Sequence, residues 1–165
     1  MQARSIRLMV FKTTLVITLI TVAFSCKKED NPEKDPYNLD VVLSSTDKNI
    51  GSSGFIKFRQ DPDTARIIEL DTRVTRLDPN RSYLLQRAVN PVTDANCTST
   101  TWLTLGKGLQ AQAIHTNPGG NGSENLWRNV TSIARGTSFR IHFQVVDSIS
   151  LVPVLTSECY TYTVR

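Results

Sequence analysis

Between Ala65 and Leu77 the chain alternates without a break: Ile68, Leu70, Thr72 and Val74 fall on one side, and Glu69, Asp71, Arg73 and Thr75 on the other. A helix would scatter these residues around its circumference. A strand sends successive side chains to opposite faces, so this spacing builds one apolar and one charged surface. The pattern recurs. Ser138–Asp147 sets Phe139, Ile141, Phe143 and Val145 against Arg140, His142 and Gln144, and Gly54–Gln60 sets Phe55, Lys57 and Arg59 against Ile56 and Phe58. Leu39–Ser44, Ser82–Val89, Thr100–Leu105, Ala111–Thr116, Val152–Leu155 and Tyr160–Val164 are further strand-like runs, while Leu126–Ile133 reads as either strand or turn. Turn signals such as Asp61-Pro62-Asp63 and Asp78-Pro79-Asn80 separate them. Nowhere does a 3.6-residue period persist. Seven to nine short strands separated by turn signals make an all-β sandwich or barrel the expected architecture.

The first 37 residues do not share this pattern. Arg4, Arg7 and Lys12 precede an uncharged run, Thr13–Phe24, after which the composition turns polar. A basic start, an apolar run of about a dozen residues and a small residue, here Ser25, make an export signal. The run is shorter than the ~20 residues that span a hydrocarbon core. Ser25-Cys26 resembles the lipobox of bacterial lipoproteins, in which the cysteine is lipidated and becomes the first residue of the mature chain; Phe24 is bulkier than usual at its position. The resemblance implies a signal peptide over 1–25 and lipidation at Cys26. Two or three acyl chains together would make the attachment lasting, since each buried methylene contributes ~0.8 kcal/mol. Residues 26–37 then form a tether, with alternating charges, two prolines and no apolar period. This segment is similar to the one behind the lipid-bearing cysteine in lipoproteins that some Gram-negative lineages export to the surface. An outer-membrane or cell-surface location follows as an expectation, with residues 38–165 as the folded domain.

That division changes the meaning of the charge. The whole chain carries +4, but three of its 19 basic residues and none of its 15 acidic ones lie in the signal. The mature chain has 16 basic and 15 acidic residues, a net +1, and no basic stripe remains to bind nucleic acid. With Cys26 lipidated, Cys97 and Cys159 are left, an even number in an oxidising compartment. They either bond to each other or stay as two buried thiols. A bridge would close a loop of about 60 residues and contribute ~4 kcal/mol on the chain-entropy model.

Taken in order, Gly54–Phe58, Ile68–Leu77, Asp78–Asn80, Tyr83–Ala88, Cys97-Thr98-Ser99 and Cys159–Val164 resemble the Cu/Zn superoxide dismutase-like β-sandwich. In that family a Gly-Xaa-aromatic strand leads to an alternating strand and a Leu-turn-Gly/Asn corner. A histidine-bearing strand, a Cys-Thr-Ser-like loop and a second cysteine beside the last strand follow. The resemblance implies an all-β Greek-key β-sandwich of seven to nine antiparallel strands, of the superoxide dismutase-like or, more broadly, immunoglobulin-like kind. The chain departs from the family where the ligands belong, because Tyr83-Leu84-Leu85-Gln86-Arg87 holds no histidine and the whole chain has two, His115 and His142. Catalytic copper or zinc needs three or four ligands, mostly imidazole. No metal, no cofactor and no catalytic residue are expected.

Other constellations are equally bare. There is no Gly-Xaa-Ser-Xaa-Gly elbow. Glu69 and Asp71 alternate with Arg73 as a solvated charged face does. Asn117–Asn125 (NPGGNGSEN) reads as a loop or hairpin tip without the aspartates of a calcium loop. Asp63-Thr64-Ala65 and Asp147-Ser148-Ile149 resemble O-glycan attachment triplets. Trp102 and Trp127 are the candidates for ligand contact, either filling the core or stacking on a planar ligand such as a sugar. The expected function is a non-catalytic binding or accessory module of the cell envelope. Its partners would be the membrane, through the anchor, and a protein or glycan. The alternative is a metal-dependent enzyme of the dismutase-like class with a rearranged site.

Overall fold

The computed structural model describes Asp35 and residues 37–47, 51–62 and 66–165. The signal segment, Cys26 and the Asp63-Thr64-Ala65 triplet lie outside the described residues. The described chain is all-β and contains no helix. In chain order the strands are β1 (Leu39–Ser45), β2 (Ser53–Gln60), β3 (Ile67–Thr75), β4 (Ser82–Asn90), β5 (Leu103–Thr104) and β6 (Gly106–Lys107). They continue as β7 (Gln110–Ala111), β8 (Ala113–His115), β9 (Gly122–Asn129), β10 (Ser138–Asp147), β11 (Pro153–Ser157) and β12 (Tyr160–Thr163). Twelve strands thus stand where the sequence suggests seven to nine. The surplus comes from pieces of two or three residues.

β1, β2 and β3 form an antiparallel meander, and β9 returns to the free edge of β3 with Leu70 opposite Leu126. β4 pairs with β10 over eight residues, from Arg140 opposite Asn90 to Asp147 opposite Tyr83. The far edge of β10 is shared: β12 takes its first half and β11 its second. β11 also pairs with β1 and so carries the hydrogen bonding round one corner. At the opposite corner, β5 pairs with β4, the Leu105 N–H donates to the Leu85 carbonyl (2.8 Å), and β6 lies parallel to β9 with Lys107 opposite Trp127. One sheet therefore wraps almost fully around a single core in a barrel-like form.

Alternation selects what enters that core. Val41, Leu43, Ile56, Leu85, Val145 and Leu155 are fully buried. Three of the largest interior groups meet edge to face: Phe58 lies 4.8 Å from Tyr162 at 71° and 6.2 Å from Phe143 at 65°, the offset geometry that aromatic quadrupoles favour. Gln60 is buried among them, and its Oε1 accepts from the Tyr162 hydroxyl and the Arg165 N–H, both at 2.7 Å. Burial pushes the Tyr162 phenol pKa well above its ordinary value.

Three expectations change. Thr100–Leu105 shrinks to Leu103–Thr104, and Gly122–Asn125 belongs to strand β9 rather than to a loop. The remaining turn, 117–121, is closely hydrogen-bonded: Asn117 N–H donates to Asn121 O (2.8 Å), and Asn117 Oδ1 accepts from the N–H groups of Gly119 (2.9 Å) and Asn121 (3.1 Å). Gly120 docks on the turn after β3, where a Cβ would come within 2.1 Å of the Leu77 carbonyl oxygen. Finally, His142 stands on the outward side of β10, yet it is half-buried rather than an open surface histidine.

Candidate functional site

Because β1, β2, β3 and β9 are alternating strands, their polar side chains share one outer surface. Register aligns them in rows: Lys57, Asp71 and Asn125 in one, and Arg59, Glu69 and Trp127 in the next. The surface is hollowed. A groove of about 540 Å³ is lined by Lys57, Arg59, Glu69, Asp71, Asn125 and Trp127. A second hollow of about 650 Å³ shares Asp71 and Asn125 with it and continues past Arg73 and Ser123 to His115, Asn117 and Asn121. Together they follow the length of β3, whose nine residues extend about 30 Å.

Charges along this groove nearly cancel. Asp71 pairs with Arg73 (3.1 Å) and Asp40 with Arg59 (2.6 Å). The side chains of Lys57 and Glu69 make no ion pair or hydrogen bond among the described residues.

Trp127 is held by a feature 19 positions upstream. Gly108 adopts φ +66°, and a Cβ there would fall 2.8 Å from the indole Cη2. The ring therefore rests against bare backbone. Gly108 N–H donates to the Trp127 carbonyl (3.0 Å), and Arg128 Nη1 donates to the Gly108 carbonyl (3.0 Å), clamping this segment to β9. The indole remains 40% exposed at the groove's end, and its N–H has no partner among the described residues.

The other tryptophan is differently employed. Trp102 stacks on His142 with centroids 4.7 Å apart and planes 18° from parallel. His142 Nε2 donates to the Ser99 carbonyl (3.2 Å), and desolvation holds the imidazole pKa below its ordinary value. The segment 91–102 thus covers the outer face of β10, where Gln144 is buried and its Nε2 donates to Gln86 Oε1 (2.7 Å). Cys97 and Cys159 are bonded, with Cα atoms 5.7 Å apart, and tie this cover to the start of β12. Asp94 braces it from within, accepting from the Thr98 N–H (2.9 Å) and hydroxyl (2.8 Å). Those bonds hold the Asp94 carboxyl pKa below the usual carboxylate range.

The two histidines are not brought together. His115 is exposed beside Ser82, with Nδ1 2.9 Å from its Oγ, and lies opposite Ser82 on β4, while His142 lies opposite Ala88. Six residues of strand put them about 20 Å apart. Among the described residues no group of three or more His, Cys, Asp or Glu is arranged to hold a metal ion. Trp127 is a candidate the sequence names and the structure presents, whereas Trp102 is used for packing. Sequence reasoning misses Lys57, Arg59 and Asn125 as groove walls, although their alternation with buried neighbours marks them as outward-facing. Comparison of the chain with family models, curated proteins and solved structures finds no match.

Proposed function

We propose that this chain is a lipid-anchored cell-envelope protein whose domain, residues 38–165, binds a glycan without chemically altering it. The observation that carries the reading is Trp127, set on Gly108 at the end of a 540 Å³ groove with its indole exposed. Sugar rings present flat C–H faces that stack on such a surface, and their hydroxyls need mixed donors and acceptors. Lys57, Glu69, Asp71 and Asn125 supply both. The near balance of charge favours a neutral or zwitterionic polymer over a polyanion, and a groove running the length of β3 suits an extended chain.

The anchor belongs to this proposal. Ser25-Cys26 and the polar tether support export and attachment at the outer membrane or cell surface. The finer fold reading is a Greek-key sandwich of the superoxide dismutase-like kind. It is supported by the three connections, β3 to β4, β4 to β9 through β5–β8, and β9 to β10, that run between the β1–β2–β3–β9 and β4–β10–β12 groups. The bridge from the loop after β4 to the last strand supports it too.

The test uses the full chain in detergent against a panel of neutral, zwitterionic and acidic envelope polysaccharides. At least one neutral or zwitterionic polymer should bind, with at least tenfold weaker binding for Trp127→Ala and unchanged binding for Trp102→Phe. Binding confined to acidic polymers, to a protein partner, or insensitive to Trp127→Ala would contradict the reading. Cys26→Ala should release the chain from membranes.

A further inference from the structure

Alternation along β4 puts Arg87 on the same face as Tyr83 and Leu85, and that face is the interior. β9 does the same with Arg128, which shares the inward side with Leu126. Both arginines line a small cavity of about 40 Å³ whose other walls include Leu70, Leu105, Val130 and Phe143. A charge turned toward a core ordinarily has a partner. Other half-buried arginines are partnered: Arg59 and Arg140 each make three polar contacts, Arg165 bonds the Gln60 carbonyl and pairs with Asp35, and Arg66 bonds backbone carbonyls although its Nε is buried without a partner. The Arg87 side chain makes no hydrogen bond or ion pair among the described residues and Arg128 reaches only the Gly108 carbonyl, so both guanidiniums face the cavity mouth with donors that solvent can reach. Burial and the repulsion of Arg128 push the Arg87 guanidinium pKa down, with no carboxylate opposing them, yet a guanidinium stays protonated at neutral pH.

We propose that Arg87 and Arg128 seat a small organic carboxylate bearing a short apolar group, its oxygens between the two guanidiniums and its tail in the cavity. Guanidinium forks match a carboxylate in plane and spacing. The tail is limited by volume, because 40 Å³ admits about three water-sized groups. A propionate- or butyrate-sized acid fits that description. The seat lies on the other side of β9 from the glycan groove, since Trp127 and Arg128 leave the strand on opposite faces, and the two meet only where Arg128 bonds the Gly108 carbonyl.

The test is thermal unfolding of the full chain in detergent with sodium butyrate, sodium octanoate, sodium sulfate and sodium chloride at matched ionic strength. Butyrate should raise Tm saturably, and the other three salts should not. Arg87→Gln should weaken butyrate binding at least tenfold, Arg87→Lys should restore only part of it, and Ile133→Phe, which fills the cavity, should abolish it. Without butyrate, Arg87→Met should melt no lower than the parent chain, because it removes an unpaired charge. Lack of a saturable butyrate effect, an equal effect from sulfate or octanoate, or full binding by Arg87→Gln would overturn the proposal. A large loss of Tm in Arg87→Met without ligand would also overturn it, since the arginine would then be a structural element.

Discussion

The two outer faces of this domain began as the same kind of surface and ended differently. On β2, β3 and β9 the outward row stays open, and Lys57, Glu69 and Trp127 face a groove. On β4 and β10 the outward row is roofed by segment 91–102, with Trp102 laid on His142 and a disulfide pinning the roof to β12. Each face has one tryptophan. One is packing material, and the other is held out on a glycine. The difference teaches that alternation decides which side of a sheet a residue takes, whereas a distant segment decides whether that side meets solvent.

The comparison breaks most directly at the bridge. Replacing Cys97 and Cys159 with serine releases the roof and the loop entropy together, and ~4 kcal/mol of stability should be lost. Urea unfolding measures it, and the Trp102 emission should shift to the red while the groove face stays intact. A loss below ~1 kcal/mol would mean that the roof holds without its staple.

Next in size are the tryptophans. Trp102→Ala should cost about 2 kcal/mol, less than the 3–5 kcal/mol of a fully buried aromatic because the ring is only half-buried. Trp127→Ala should stay within about 1 kcal/mol. Equal costs would erase the distinction between the faces. Gly108→Ala should cost about 1–2 kcal/mol through strain at positive φ and displace the Trp127 ring, so glycan binding should fall with it.

Much of this was readable beforehand. Ile68, Leu70, Thr72 and Val74 are all buried, and Ser138–Asp147 is a strand over the full expected range. Both follow from local period-two spacing. The two-residue strands β5, β6 and β7 were not readable, because at the corners of the barrel a neighbour's free edge, not propensity, makes a strand. His142 shows the same limit: its side of β10 was evident, but its cover comes from Ser99 and Trp102, about 40 positions away. Trp127 owes its exposure to Gly108, a backbone conformation with no local signature at Trp127. Arg87 was legible in principle, since it alternates with Tyr83 and Leu85.

The smallest expected effect is a pH dependence confined to the roofed face. Desolvation disfavours the His142 imidazolium in the folded chain, while the unfolded chain takes up its proton near the ordinary pKa of about 6.5. The His142 contribution is therefore full above about pH 6.5 and is lost as pH falls through the lower folded value. Urea midpoints at pH 7.5 and 5.5 should differ, and His142→Gln should narrow the difference. Asp94 and Asp147 do not disturb this window. Hydrogen bonds from Thr98 to Asp94 and from Ser150 and Ile149 to Asp147 hold both carboxyls low, and their contributions fade only below about pH 4.

The open face is tested most directly by the two indole N–H resonances of the full chain in detergent micelles, followed by NMR as a binding polysaccharide is added. The Trp127 resonance should shift saturably, and the Trp102 resonance should stay in place. A shift of Trp102 with Trp127 unmoved, or equal shifts of both, would contradict this.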